Sequence, residues 1–170
     1  DASDVASEDA GGPGNGPVCG PHQLIYSSPP LAEDVLVAGN FDVDLSLTST
    51  QPGGNLVATL YHTPGDASCA DVFARAQDAG RAQLDLRHWR EQGASRDFPV
   101  GERTRVSADS LPLAARIPAG HRLVLAIGSG SAEIEPDPLK PRIAVETGRG
   151  LPGSLELPVV DGRLSFRAER

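Results

Sequence analysis

Residues 41–48, FDVDLSLT, decide the fold class of this chain of 170 residues. Apolar and polar side chains alternate along the whole stretch. The apolar ones are Phe41, Val43, Leu45 and Leu47, and the polar ones are Asp42, Asp44, Ser46 and Thr48. Because successive side chains of a β-strand point to opposite faces, this period of two predicts a strand with one buried side and one solvent-facing side.

Other short segments with strand character follow. After the turn signal QPGGN at 51–55, Leu56–Tyr61 predicts a second strand, so we expect the two strands to form a hairpin. Further strands are predicted at residues 82–88, 104–108, 113–117, 122–127, 142–145, 154–157 and 164–166. The strand at 122–127 is apolar on both faces and is expected to be central. Between them, Ala70–Ala79 allows one short helix, or a strand and loop insertion.

Glycine and proline separate these segments, with 19 and 15 residues spread along the chain. Eight to ten short strands without alternating helices predict an all-β antiparallel sandwich or barrel with at most one short helix. Residues 1–20 are acidic, rich in Gly, Ala and Pro, and poor in large apolar groups. We therefore expect a linker or strap at 1–20 and one domain at 21–170.

Two cysteines, Cys19 and Cys69, permit one intrachain pairing. They form either a disulfide that ties the N-terminal segment to the sandwich or two independent thiols. We expect the disulfide, which implies a secreted, extracellular protein. The absence of methionine and of a signal peptide suits a processed chain or a fragment that starts within a longer protein.

The charge of the chain argues against two classes of partner. Its formal net charge is −8, which repels phosphate backbones and anionic lipid, so we expect neither nucleic acid nor membrane as a partner. No apolar run approaches the ~18–20 residues that a bilayer-spanning helix needs.

No arrangement of residues predicts a reaction centre. The chain lacks G-x-S-x-G, and Gly128–Ala132 (GSGSA) has the wrong spacing for a nucleophile elbow. The four histidines, His22, His62, His88 and His121, form no sequence pair with metal-ligand spacing. We therefore expect no catalytic residue, no metal ligand and no cofactor site in this chain.

Three further features each have a functional and a structural interpretation. His121 is either a general base or a histidine whose ring anchors a turn by bonding the backbone. The carboxylates of Asp42 and Asp44, and those in the segment 133–138, form either a calcium site or solvent-facing surfaces. Trp89 is either a stacking platform for a sugar or a core or interface residue. We expect the structural interpretation in each case.

Several stretches together suggest a family. Residues 25–35 and 38–39, IYSSPPLAEDV and AG, resemble a motif Y-x-S-x-P-L-x-E-D-x-x-x-x-G. The segment 81–88, RAQLDLRH, is similar to R-G-x-L-x-x-R-x, and 98–101, FPVG, looks like a proline–glycine link. Residues 118–125, PAGHRLVL, resemble x-A-G-H-R-L-x-L. In this order they resemble the C-terminal domain of the X-prolyl dipeptidyl-peptidase and cocaine-esterase (CocE/NonD) group of serine hydrolases.

The resemblance implies a jelly-roll β-sandwich of the galactose-binding-like class, packed against an α/β-hydrolase domain of the same protein. In that family the catalytic Ser, Asp and His belong to the other domain, so none is assigned here. We expect His121 and Arg122 to be structural, and an aromatic face around Tyr26 and Trp89 to contact the hydrolase domain. Two alternatives are a carbohydrate-binding module of the same fold and a purely adhesive surface domain.

Overall fold

Two β-sheets packed face to face make up the protein in the computed structural model, which describes residues 5–6, 23–65, 75–90, 93–129, 137–146, 153–160 and 162–167. The eight-stranded sheet contains β1 (Val5–Ala6), β3 (Val35–Gly39), β4 (Asp42–Ser49), β7 (Thr104–Asp109), β8 (Leu113–Ile117), β10 (Ile143–Glu146), β11 (Gly153–Val159) and β12 (Gly162–Arg167). The four-stranded sheet contains β2 (Gln23–Ser27), β5 (Asn55–Pro64), β6 (Gln77–Asp85) and β9 (His121–Gly128). The predicted all-β sandwich is confirmed.

The order of strands places the best-predicted segments at the centre of each sheet. The eight-stranded sheet runs β1-β10-β4-β11-β3-β8, and the other sheet runs β2-β9-β5-β6. Strands β10 and β11 pair with successive halves of β4, β7 also pairs with β4, and β12 pairs with β11. Strand β9 lies between β2 and β5, as its two apolar faces predict. The strand pairs are antiparallel except β1 with β10, which are parallel. The structure describes twelve strands rather than eight to ten, because β1, β2 and β3 precede the alternating stretch and are short.

The apolar face of β4 forms the middle of the core. Phe41, Val43, Leu45 and Leu47 are all at most 4% exposed. On the facing sheet, Leu56, Ala58 and Leu60 of β5 belong to the same buried cluster. The four apolar side chains of FDVDLSLT therefore lie inside as predicted, whereas Ser46, on the face predicted to meet solvent, is also buried at 3% exposed.

The predicted hairpin between the strands at 41–48 and 56–61 is wrong. Strand β4 pairs with β7, β10 and β11, whereas β5 pairs with β6 and β9 in the other sheet. The intervening backbone bonds to other segments instead of closing a turn, since Pro52 O accepts the N–H of Phe98 at 2.8 Å and Gly54 O accepts that of Leu86 at 2.8 Å. The connection therefore crosses from one sheet to the other, as expected in a jelly roll.

The predicted strand at 82–88 ends early. Strand β6 stops at Asp85, and Leu86–His88 form a 3-10 helix. The Asp85 carboxylate accepts the N–H of Arg87 at 2.9 Å, which caps this turn. Upstream, residues 66–74 lie outside the described part of the chain, and Gln77–Ala79 belong to β6. In the described part of Ala70–Ala79, Arg75 is helical and Gln77–Ala79 are extended, so both a helical and a strand residue are seen.

Gly54 sits where the crossing connection meets the neighbouring loop. Its φ is +147°, and a Cβ built on it would lie 2.5 Å from Cγ of Pro141. We expect Gly54→Ala to lower the free energy of unfolding by more than about 1 kcal/mol, because it adds backbone strain and a steric clash. Chemical denaturation measures this. Gly93→Ala is the control, since φ is +93° but nothing lies within 4 Å of its Cβ; equal losses in the two variants would rule out the clash.

In the described ranges, no helix has the length and apolarity that a membrane span requires.

Candidate functional site

A groove of about 540 Å³ opens between the edge strands of the two sheets, β6 and β7. An isolated antiparallel bridge joins Ala82 of β6 to Ser110, the residue that follows β7. The lining residues come from β6, from β7 and from the segment after β6: Gln83, Leu84, Asp85, His88, Trp89, Arg90, Ser107, Ala108 and Asp109. The groove therefore combines an aromatic ring with carboxylates and basic groups at the open side of the sandwich.

Trp89 occupies the end of the groove that follows the 3-10 helix. Its ring packs edge-on against Phe98, with centroids 5.7 Å apart and planes at 72°, and the Arg90 guanidinium lies 4.6 Å from its centroid. The indole N–H is buried without a hydrogen-bond partner. Because Arg90 covers one face of the ring and Phe98 contacts it from the side, Trp89 is not an open platform for a stacked sugar.

Tyr26, the other predicted interface residue, lies far from Trp89. It belongs to β2, at the opposite edge of the four-stranded sheet from β6, so about three strand spacings, or roughly 14 Å, separate the two strands. Tyr26 packs against the core, and burial raises the pKa of its hydroxyl to about 12. The structure does not bring Tyr26 and Trp89 together on one face; a contact of either with a partner stays a prediction.

A chain of charged groups holds the 3-10 helix against the loop at 137–141. The Arg87 guanidinium donates to Asp85 at 3.2 Å and to Asp137 at 3.0 Å. Burial raises the pKa of Asp85, but the hydrogen bonds from the backbone and side chain of Arg87 outweigh it and leave that pKa below its usual value. Arg87 therefore connects the 3-10 helix that precedes Trp89 with the loop at 137–141.

The Asp137 carboxylate is buried, with only 1% of the side chain exposed. Besides Arg87, it accepts the N–H of Leu139 at 2.8 Å. The expectation of a solvent-facing carboxylate at this position is wrong. The carboxylate oxygens accept hydrogen bonds from protein donors in place of water, which allows the group to be buried. Glu133 and Glu135, the other acidic residues of this segment, lie outside the described residues.

The outer face of the eight-stranded sheet is charged. Asp42 and Asp109 are directly opposed on β4 and β7, and Asp44 accepts a hydrogen bond from Arg105 at 2.9 Å. Burial, the hydrogen bond with Asp42 and the charges of Asp42 and Asp44 raise the pKa of Asp109. Across the described ranges, no three His, Cys, Asp or Glu side chains are grouped to hold a metal ion.

The outer face of the four-stranded sheet has an apolar cluster. Ile25 on β2 and Val124 on β9 are 6% and 1% exposed and pack with Tyr61 on β5. Since these side chains are already buried in the chain by itself, they do not form an open apolar docking face.

The structure brings together two histidines that are 59 residues apart. Nδ1 of His62 lies 3.0 Å from Nδ1 of His121. Burial, and then the charge of His121, lower the pKa of His62. We expected the His121 ring to bond the backbone, but its recorded contact is with another imidazole. Motifs with fixed spacing cannot reveal this contact, because the two histidines are far apart in the sequence.

Two further predicted positions do not form a site in the described structure. Ser129, in the segment nearest to a nucleophile motif, is 4% exposed, whereas a nucleophile must reach its substrate. Arg122 follows His121 on β9, and its Nε is buried without a hydrogen-bond partner. Cys19, Cys69 and His22 lie outside the described residues.

The model of one protein family matches residues 17–147, more than half of the chain. Its description is the X-Pro dipeptidyl-peptidase C-terminal non-catalytic domain. The chain belongs to this family. The comparison with curated proteins finds no match.

The stretches that resemble the X-Pro dipeptidyl-peptidase C-terminal domain meet in space. Asp34, from the first motif, accepts the N–H of Ala119, from the last, at 2.8 Å and bonds the Arg116 guanidinium. These hydrogen bonds lower the pKa of Asp34. Gly120 has a φ of +78° at the third position of a turn in which His121 N–H donates to Pro118 O at 3.1 Å. That geometry is a type II turn, which favours glycine there.

Solved structures share the fold of this X-Pro dipeptidyl-peptidase C-terminal domain at low identity. An α-amino acid ester hydrolase has a TM-score of 0.68 and 16% identity over 82% of this chain. An aminopeptidase from a marine sediment Thaumarchaeota archaeon has a TM-score of 0.68 and 13% identity over 84%. A CocE/NonD family hydrolase from Staphylococcus aureus has a TM-score of 0.62 and 14% identity over 81%. The chain spans 26%, 26% and 30% of these proteins, respectively.

Proposed function

We propose that this chain is the accessory β-sandwich of a longer, secreted serine hydrolase that acts on peptide or ester bonds. It packs against the catalytic α/β-hydrolase domain of the same protein and shapes its substrate cleft. The observation that carries the proposal is the match to a non-catalytic domain family over residues 17–147. The solved hydrolases support it, because the matched region is 26% to 30% of each chain, so most of each protein lies outside the sandwich.

Trp89 is the proposed contact with the hydrolase domain. Tryptophan and arginine dominate the energy of many interfaces, and Trp89 is half-buried beside Arg90 at the groove between β6 and β7. Tyr26 lies on β2, the edge strand opposite to β6 in the four-stranded sheet. Its hydroxyl is buried, so we expect Tyr26 to contribute less than Trp89 to the contact. Ile25 and Val124, on the outer face of the four-stranded sheet, are not part of the proposed contact because they are already buried.

A disulfide between Cys19 and Cys69 belongs to the same proposal. In a secreted protein it would tie the acidic N-terminal segment to the sandwich, and in the chain-entropy model it stabilises the fold by about 4 kcal/mol. The proposal is supported by the presence of only two cysteines. Mass spectrometry of the chain before and after reduction tests the disulfide. We expect the mass to rise by two hydrogens on reduction; an unchanged mass would contradict the pairing.

The proposed function is tested by comparing the isolated chain with the whole protein. We expect the isolated chain to hydrolyse neither X-Pro peptides nor small esters. We expect the whole protein to hydrolyse one of them, and removal of this domain to lower kcat/KM. Turnover by the isolated chain, or an unchanged kcat/KM after removal, would contradict the proposal.

The contact of Trp89 is tested in the whole protein with two variants. Trp89→Ala removes the aromatic surface and should weaken the association of the domains, whereas the control Trp89→Phe retains a ring and should weaken it less. Limited proteolysis between the domains measures the association. Equal protection of both variants and the wild type would remove Trp89 from the interface.

A further inference from the structure

One ring–ring contact at an end of the sandwich joins three segments that are distant in sequence. His62 lies near the end of β5, and His121 is the first residue of β9. The His121 carbonyl accepts the N–H of Leu31 at 2.8 Å, and the Gly120 carbonyl accepts the N–H of Gly65 at 2.9 Å. The histidine pair therefore lies at the junction of the loop 28–34, the end of β5 and the turn 118–121.

The backbone at this junction is closely packed. A Cβ on Gly65 would lie 2.6 Å from the carbonyl oxygen of Gly120. Gly120 in turn donates its N–H to Leu31 O at 2.8 Å. The two rings therefore lie beside backbone hydrogen bonds that join the three segments, and loss of the ring contact removes one of the links between the end of β5 and the turn 118–121.

The contact between the rings requires a single proton. An imidazole nitrogen either carries hydrogen and donates or has a free lone pair and accepts, so two Nδ1 atoms 3.0 Å apart bond only when one of them is protonated. His62 is 5% exposed, whereas His121 is partly exposed. A neutral pair meets this requirement when one ring carries its hydrogen on Nδ1 and the other ring carries its hydrogen on Nε2.

The neighbouring elements supply no carboxylate bonded to either ring among the described contacts. The described charged groups on these elements are Arg122 on β9, Asp78, Arg81 and Asp85 on β6, Arg116 on β8, and Glu33 and Asp34 in the loop. Asp78 is bonded to Arg81 and to the N–H of Gly80, and Asp34 to Arg116 and the N–H of Ala119. The charge that acts on the His62 ring is that of His121.

We propose that the His62–His121 pair is a one-proton clasp that opens in acid and releases the end of β5 from the turn 118–121. When both Nδ1 atoms carry protons, both are donors, and two positive charges face each other in a largely buried place. The contact then breaks, and water enters between the segments. This inference concerns the sandwich itself and does not depend on the proposed hydrolase domain.

The direction of the pH effect follows from linkage. The pKa of His62 is lower in the folded chain than in the unfolded one, so the unfolded or opened form binds a proton more readily. The clasp is fully stable above the usual histidine pKa of about 6.5 and loses stability as pH falls below it. For one proton, the slope approaches but does not exceed about tenfold per pH unit.

Amide hydrogen exchange on the whole chain tests the clasp. After correction for the intrinsic effect of pH, we expect the protection of the Leu31, Gly65 and Gly120 amides to fall below pH 6 with that slope. Amides of β7, in the other sheet, serve as the internal control and should keep their protection. A flat profile for the three junction amides, or an equal fall in β7, would overturn the proposal.

A variant and a spectroscopic measurement complete the test. His62→Gln should remove the pH-dependent fall at the junction, and the same slope in this variant would overturn the proposal.

If His62→Gln does not fold, nitrogen NMR of the wild-type imidazoles decides. We expect Nδ1–H on one ring, Nε2–H on the other and a coupling across the contact at neutral pH; two identical tautomers without coupling would refute the clasp.

Discussion

Leu47→Ala is expected to lower the free energy of unfolding by about 3 to 4 kcal/mol. Leu47 is fully buried on β4, where Val145 of β10 is paired with it on one side and Thr104 of β7 on the other. Removing its branched end loses apolar burial and leaves a cavity, because strands on both sides hold the backbone and prevent collapse around the smaller side chain. Chemical denaturation followed by the fluorescence of Trp89, the single tryptophan, measures the change.

The matched control for this substitution is Leu111→Ala. Leu111 lies between β7 and β8 and is 80% exposed, so the same chemical change there should cost less than about 0.5 kcal/mol. A loss of similar size in both variants, or none at Leu47, would contradict the placement of β4 at the centre of the core.

Arg87→Ala has the second large expected effect, a loss of about 2 kcal/mol. Removing the guanidinium leaves the buried carboxylate of Asp137 without its charged partner, and breaking a buried ion pair from one side is strongly destabilising. The estimate is lower than for a fully buried pair because 43% of the Arg87 side chain is exposed and water screens part of the interaction. The measurement is again chemical denaturation at neutral pH.

Arg105→Ala is the control for the buried ion pair. It removes an arginine that bonds Asp44 at 2.9 Å on the charged outer face, where 66% of the Arg105 side chain is exposed. Such a surface pair contributes less than about 1 kcal/mol. If Arg87→Ala destabilised no more than Arg105→Ala, Asp137 would not depend on Arg87.

The strand pattern could be predicted from the sequence because it is a local property. The alternation at 41–48 places Leu45 and Leu47 inside and Asp44 outside, and this holds whichever strands are the neighbours. The run at 122–127 shows by its two apolar faces that it is covered on both sides. Glycine at 120 marks a turn because few other residues adopt its φ of +78°.

The pairing of the strands could not be predicted in the same way. A turn-like segment at 51–55 serves a hairpin or a crossing between sheets equally well in sequence terms. Where its carbonyls find donors decides between them, and those donors belong to Phe98 and Leu86, more than 30 residues away. The strand at 82–88 ends early for a local reason, the Asp85 carboxylate that caps the turn at Arg87.

The candidate site shows the same division. Trp89 and His121 stand out in the sequence, but their ring partners do not follow from it: Phe98 lies nine residues after Trp89, and His62 lies 59 residues before His121. Asp137 resembles a surface carboxylate in an acidic, proline-rich stretch, and nothing local to it signals burial. A buried charge is recognised only when the opposite charge is seen beside it.

By itself, the sequence determined the sheet-only architecture, the inward and outward faces of its strands and the family, because side-chain period and turn residues act over a few positions. Only the tertiary structure decided which strands pair, that Tyr26 lies on the edge strand opposite to the one that Trp89 follows, and that two histidines share a contact. These are contacts between residues far apart in the chain, and they depend on where the whole backbone leads.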